Sequence, residues 1–349
     1  MTDFLKSMKR LTIFIAIAAL VCGGCAKKAQ THVNESARLY FDAWMQVNHP
    51  DLEPTALGAY VLEDIPGTGA SLASPDEYPY VRVNCTRRNL DGTVVYTNRE
   101  SVAQQIGDYD ETYYYGPVVW VRGGSVYAGI EESLKEMNIG GRRTLILPGW
   151  LLSYTEYATA QEYYDNVTGT DAIYDVEVVE AFDDVVEWEI DSIGSFLERN
   201  FGISKKDSVK FGCYYRQTGQ PSSTEAFPDD TTIYINYTGR LLDGKVFDTT
   251  IRDTAKRYGL YSDSKTYSPV SVSYKNTESY SEITMGDSGS TLIDGFSYTI
   301  SRMKSHEKGV GIFYSVLGYG SSGSGNAIPG FSPLMFEIEV VDKPAEEEE

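Results

Sequence analysis

A chain of 349 residues, 42% hydrophobic and 23% charged, is long enough to bury two ordinary cores and too apolar to remain unfolded. Its formal net charge of -20 repels phosphate backbones and anionic lipid heads, and no basic stripe interrupts that acidity, so nucleic acid is excluded as a partner. The 27 Tyr and 32 Gly favour strands and turns.

At the N-terminus Lys6, Lys9 and Arg10 precede an apolar run at 11–21, which ends in CysGlyGlyCys at 22–25. The run is shorter than the roughly 20 apolar residues of a membrane span. The order resembles a bacterial lipoprotein signal, although Cys22 stands where such signals usually carry leucine. It predicts a signal peptide at 1–24, lipidation of Cys25 and a linker at 25–33. The expected location is the bacterial cell envelope, anchored to the outer membrane through lipid alone and facing the periplasm or the surface. Besides Cys25 the mature chain keeps Cys85 and Cys213, which suit buried free thiols better than a disulfide framework. With His32, His49 and His306 as its histidines, the chain has neither a zinc spacing nor a Cys/His nucleophile pair.

A repeat organises the rest. A helix is expected at 34–47, with Ala37, Tyr40, Trp44 and Val47 on its inner stripe, and a second at 191–200, with Ile193, Phe196 and Leu197 inward. Each leads into matching segments, Leu57-Gly58-Ala59-Tyr60-Val61 and Phe211-Gly212-Cys213-Tyr214-Tyr215. Asp91-Gly92 and Asp243-Gly244 then lie between β-prone runs, the signal of a hairpin. Gly129 precedes Ile130, Leu134 and Met137 as Gly295 precedes Phe296, Ile300 and Met303, which marks one amphipathic helix in each copy. Alternating strands at 172–179 and 334–341 close the two units. The class is α+β, with one unit at 34–182, another at 183–342, and an acidic tail at 343–349. The segment 221–230 reads as a turn-rich loop.

The stretch at 235–250, IleAsnTyrThrGlyArgLeuLeuAspGlyLysValPheAspThrThr, closely resembles the signature of the FKBP family of peptidyl-prolyl cis/trans isomerases. It is followed in order by LeuIleAspGlyPhe at 292–296, GlyTyrGly at 318–320, IlePro at 328–329 and the strand through Phe336. The resemblance implies two FKBP-like domains, each an antiparallel twisted sheet wrapped on one short helix and preceded by a leading helix. It also implies an apolar pocket for a proline ring in the second unit. Tyr237, Asp248 and Tyr319 would be its catalytic residues, and Phe247, Leu292, Ile293, Phe296, Ile328 and Phe336 would bind substrate. In that family the Tyr319 hydroxyl and the Ile293 N–H would hold substrate carbonyls, while Tyr237 and Asp248 would shape the polar edge. No cofactor or metal is implied, and the partners would be proline-containing unfolded or exported polypeptides.

Several positions depart from the family. Phe296 stands where tryptophan is common, and a Ser/Thr/Tyr-rich insertion at 251–290 replaces a shorter loop. The first unit departs further, with Cys85, Val95 and Tyr96 where the second has Tyr237, Phe247 and Asp248. That divergence leaves two readings: an envelope isomerase acting through its second unit, or a non-catalytic lipoprotein that uses the scaffold to hold peptides, glycans or a partner protein.

Overall fold

The computed structural model describes residues 32–275, 282–286 and 289–344. The expected signal peptide, the anchor residue Cys25 and most of the tail at 343–349 lie outside the described residues. Helix α1 (Glu35–Asn48) opens the fold and buries Phe41 and Met45. Tyr40 and Val47, expected inward, are 62% and 80% exposed. Trp44 packs half-buried on the core as expected, while Phe41 and Met45 take the places expected of Tyr40 and Val47. Asn34 Nδ2 anchors the start of the helix by donating to the carbonyls of Tyr164 and Val167 at 2.6 Å, and the Phe41 ring meets Tyr60 and Trp150 at 6.0 Å.

The first sheet is antiparallel throughout. Its strands are β1 (Tyr60–Ile65), β2 (Tyr80–Arg88), β3 (Val94–Thr97), β4 (Val118–Val121), β5 (Arg142–Leu147) and β6 (Ala172–Phe182). They stand in the order β1-β5-β6-β2-β3, with β4 also on β2. Side chains alternate across the pleat, so Val81, Val83 and Cys85 point into the core together. Three short helices decorate this sheet: α2 (Glu100–Ile106), α3 (Ala128–Leu134) and α4 (Ala160–Asn166). Of these, α3 is the one the repeat predicts, and Ile130, Leu134 and Met137 are all buried in the core.

Helix α5 (Val185–Phe201) then crosses to the second unit, starting earlier than expected because Asp184 Oδ1 caps Val186 N and Glu187 N. Its Ile193 and Leu197 bury against Tyr214, Val310, Ile312 and Met335. Glu189 is 1% exposed, and its carboxylate accepts from Ser315 N and the Ser315 hydroxyl at 2.5 and 2.6 Å. The second sheet contains β7 (Cys213–Gly219), β8 (Thr231–Leu241), β9 (Val246–Thr249), β10 (Val270–Tyr274), β11 (Thr284–Met285), β12 (Ser290–Thr291), β13 (Lys308–Phe313) and β14 (Leu334–Val341). Their order, β12-β11-β10-β8-β14-β13-β7 with β9 also on β8, repeats the first sheet strand for strand and adds a hairpin at one edge. Helices α6 (Arg252–Arg257) and α7 (Asp294–Arg302) complete the unit.

The insertion at 251–290 is therefore partly regular structure. Its Val272 and Tyr274 are buried on one face of β10, with Val272 opposite Ile233 of β8, in the place β4 takes beside β2. Among the described residues no helix is long and apolar enough to cross a membrane.

Two outcomes follow from this packing. Burial pushes the Cys85 and Cys213 thiols up to about 12, so neither should react with iodoacetamide at pH 8 until denaturant is added, when both should. Replacing Glu189 by Ala strands two buried donors of Ser315, and the urea unfolding midpoint should fall by the equivalent of about 2 kcal/mol. The exposed neighbour Glu187→Ala should leave that midpoint where it is.

Candidate functional site

Strand pairing assembles the site. In the antiparallel β8–β14 ladder, Tyr237 lies opposite Ile338 and Gly239 opposite Phe336, so these four positions share one face. The Asp243-Gly244 turn, with Gly244 at φ +95°, folds β9 back and sets Asp248 opposite Gly239. Helix α7 lies across that face and brings down Phe296, which is 2% exposed.

The rings then meet. Phe296 and Phe336 pack edge to face at 4.8 Å, Phe247 meets Phe336 at 5.5 Å, and Tyr237 meets Phe296 at 5.5 Å. The Tyr237 hydroxyl donates to Asp248 Oδ2 at 2.6 Å, while Asp248 Oδ1 accepts from Thr249 N and from Lys265 Nζ. Burial, and then the Asp248 carboxylate, hold the Tyr237 hydroxyl far above the usual phenol range, so it remains a donor. Tyr319 sits close enough to feel the same carboxylate, which with burial raises its hydroxyl too.

Leu292, Ile293 and Ile328 pack on the same core cluster. Ile293 stands extended just before α7, with ψ 144°, and among the described residues its N–H has no acceptor. The structure thus brings Tyr237, Phe247, Asp248, Phe296 and Phe336 into direct contact and places Leu292, Ile293, Tyr319 and Ile328 around them.

Two further residues belong to the arrangement. A Cβ on Gly239 would lie 2.5 Å from the Phe247 ring and 2.9 Å from Phe336, so glycine is what lets both rings meet there. Lys265, from the insertion, supplies the positive partner of Asp248. Gly239 is visible in the signature, but its purpose needs the register. Nothing in the sequence links Lys265 to Asp248 across 17 residues.

The first unit holds the same register with different chemistry. Cys85 opposes Val176 as Tyr237 opposes Ile338, and Arg87 opposes Tyr174 where Gly239 opposes Phe336. Threonine hydroxyls pair across both hairpins, Thr86 with Thr97 at 2.9 Å and Thr238 with Thr249 at 3.0 Å. The Arg87 guanidinium lies over the Tyr174 ring at 5.9 Å, which fills the space that Gly239 leaves clear.

Residues 223–341 match the family model of FKBP-type peptidyl-prolyl cis-trans isomerases. No curated protein sequence matches the chain. Similar solved structures include the three FKBP domains of wheat FKBP73, at 17% identity over 81% of this chain and 93% of that one, with a TM-score of 0.27. FkpA from Escherichia coli is 22% identical over 45% of this chain and 58% of that one, with a TM-score of 0.31. A peptidyl-prolyl cis-trans isomerase from Pseudomonas syringae pv. tomato is 21% identical over 45% and 94%, with a TM-score of 0.30. These likenesses carry no weight beside the family match and the repeated strand order. The second unit belongs to the FKBP-type peptidyl-prolyl cis-trans isomerase family, and the chain is a tandem of two FKBP-like units that share sheet order and helix, with the aromatic set in the second.

Proposed function

We propose that the second unit catalyses cis/trans isomerisation of X-Pro bonds in unfolded or exported polypeptides, at a cell envelope to which Cys25 anchors the chain. The observation that carries this reading is the convergence of Tyr237, Phe247, Phe296 and Phe336 beside the Tyr237–Asp248 hydrogen bond.

Rotation about an amide must lose resonance worth about 18–20 kcal/mol, and it moves no proton and breaks no covalent bond. The twisted amide is less dipolar than the planar one. Apolar rings that strip water from the bond therefore favour the twisted form over the ground state. In this geometry Phe336 and Phe296 wall the proline ring, and the Ile293 N–H and Tyr319 hydroxyl hold the carbonyls on either side. Asp248 orients Tyr237 and acts neither as base nor as nucleophile. In the first unit Arg87 and Tyr174 stand in place of Gly239 and Phe336, which supports assigning the activity to the second alone. The competing reading, a non-catalytic binder of peptides, glycans or a partner protein, is favoured by that divergence and by the insertion at 251–290.

The full chain should accelerate X-Pro isomerisation of a proline tetrapeptide above background. Phe336→Ala admits water and should lower kcat/KM more than tenfold, about 1.4 kcal/mol or more of lost stabilisation. Asp248→Asn should lower it severalfold without abolishing it. Gly239→Arg imports the first unit's residue and should leave the uncatalysed rate; activity surviving that substitution would move the catalyst to the first unit. If the folded wild-type chain shows no acceleration, the binder reading replaces this one. Cys25→Ala should shift the protein from the membrane to the soluble fraction on cell fractionation, and a wild type already soluble and unacylated would remove the anchor.

A further inference from the structure

A cavity away from the aromatic site lies between the two units. It encloses about 800 Å³, within the range of ligand clefts. One wall comes from β3, α2 and β4 of the first unit, and the other from the 321–331 loop of the second. Tyr114 N donates to Asn326 O at 2.8 Å, and Tyr80 meets Phe331 edge to face at 5.9 Å, so contacts between the units close one side.

The strands of this wall are unusual in their placement. β3 and β4 lie end to end along the edge of β2 that β6 leaves open. Among the described residues neither has a strand on its outer side. All four residues of each line the cavity, although successive side chains point to opposite faces. The cavity therefore follows the strand edges. Ser125 already takes the N–H and C=O of Val121, so it is the outward backbone groups of β3 and of β4 before Val121 that are offered to an incoming strand.

Side chains on this wall are apolar and only half covered: Val95 and Tyr96 are each 47% exposed, Ile106 45% and Tyr113 40%. Asp108 is the carboxylate on its lining, and Glu100, Asp110 and Glu111 gather beyond it around Tyr109, which stacks on the cavity-lining Tyr115 at 5.3 Å. Lys245 is the cation among them, and its ammonium is occupied by the Glu111 carbonyl.

We propose that this groove binds an extended polypeptide segment of alternating apolar and basic side chains, which adds as a strand to the β3 and β4 edges. The backbone edge fixes the extended shape, the Val95, Ile106 and Tyr113 surface takes the apolar side chains, and Asp108 with the carboxylates around Tyr109 takes the basic ones. Proline is not required, so this site works independently of the isomerase reading.

The test uses the full chain and a fluorescein-labelled peptide of alternating Val and Lys without proline, followed by anisotropy. Saturable binding is expected, and the matching Val/Glu peptide should bind at least tenfold more weakly. Val95→Lys and Ile106→Lys, both at exposed positions, should each weaken binding at least tenfold while keeping the circular dichroism spectrum and X-Pro isomerisation of the wild type. Phe336→Ala should leave peptide binding intact. No saturable binding by the folded protein, equal binding of the Val/Glu peptide, or no effect of either lysine substitution would overturn the proposal. Loss of binding in Phe336→Ala alone would place the peptide in the aromatic site instead, and would overturn it as well.

Discussion

The edge-to-face contact between Phe336 on the sheet and Phe296 on the helix, at 4.8 Å, is the constraint around which the second unit is built. Sheet and helix reach that distance only because glycine stands at the facing positions. A Cβ on Gly239 would overlap the Phe247 and Phe336 rings, one on Gly295 the Phe313 ring, and one on Gly311 the Thr299 side chain. Phe313 stacks parallel to Phe336 at 5.8 Å and prevents that ring from sliding deeper. Closely packed interiors do not deform gradually, so these rings are held in one arrangement.

The same frame explains how the first unit diverged without unfolding. Its core side chains, from Val81 and Val83 to Ile130 and Leu134, remain buried, and Gly129 still lets α3 approach Leu147 and Leu151. What changed lies on the helix-facing side of the sheet, where Arg87 and Tyr174 occupy the positions of Gly239 and Phe336. Tyr174 is as buried as Phe336, so the exchange kept the burial at that position and changed the chemistry beside it. The buried Arg122–Glu131 pair, bonded at 2.7 Å, shows that this unit tolerates charge inside when both partners are satisfied.

Much of this was legible beforehand, for physical reasons that differ by element. The Asp-Gly hairpins and the two-residue alternation of β6 and β14 are local signals, and each fell where its pattern placed it. The inner stripe of α1 was misread because Phe41 and Tyr40 are both large and aromatic, and Phe41 is the one that meets Tyr60 and Trp150. The strand β10 was hidden because Ser271 and Ser273 alternate with its apolar residues and look like loop, although they are simply its outer face. The aromatic set was named through the resemblance to the FKBP family, and the structure brings its rings together. Its polar edge could not be completed, since the Lys265–Asp248 pair exists only once α6 and β10 have folded back along β8.

The loop from Tyr319 to Phe331 has two sides, and this gives the tandem arrangement a mechanical consequence. Its inner side carries Tyr319 and Ile328 to the aromatic site. Its outer side carries Asn326 and Phe331 to the first unit, where Tyr114 N and the Tyr80 ring hold them. Glycines such as Gly320, Gly323 and Gly325, all at positive φ, would leave such a loop free to rearrange on its own. Tyr114 opposes that freedom, because its ring also packs against the second unit's core cluster. Under the proposed isomerase reading the Tyr319 hydroxyl holds a carbonyl while the adjacent amide twists, and disorder there would add an entropic cost to the barrier. The first unit, which lacks the aromatic set itself, thus holds the outer side of the loop on which Tyr319 and Ile328 are carried.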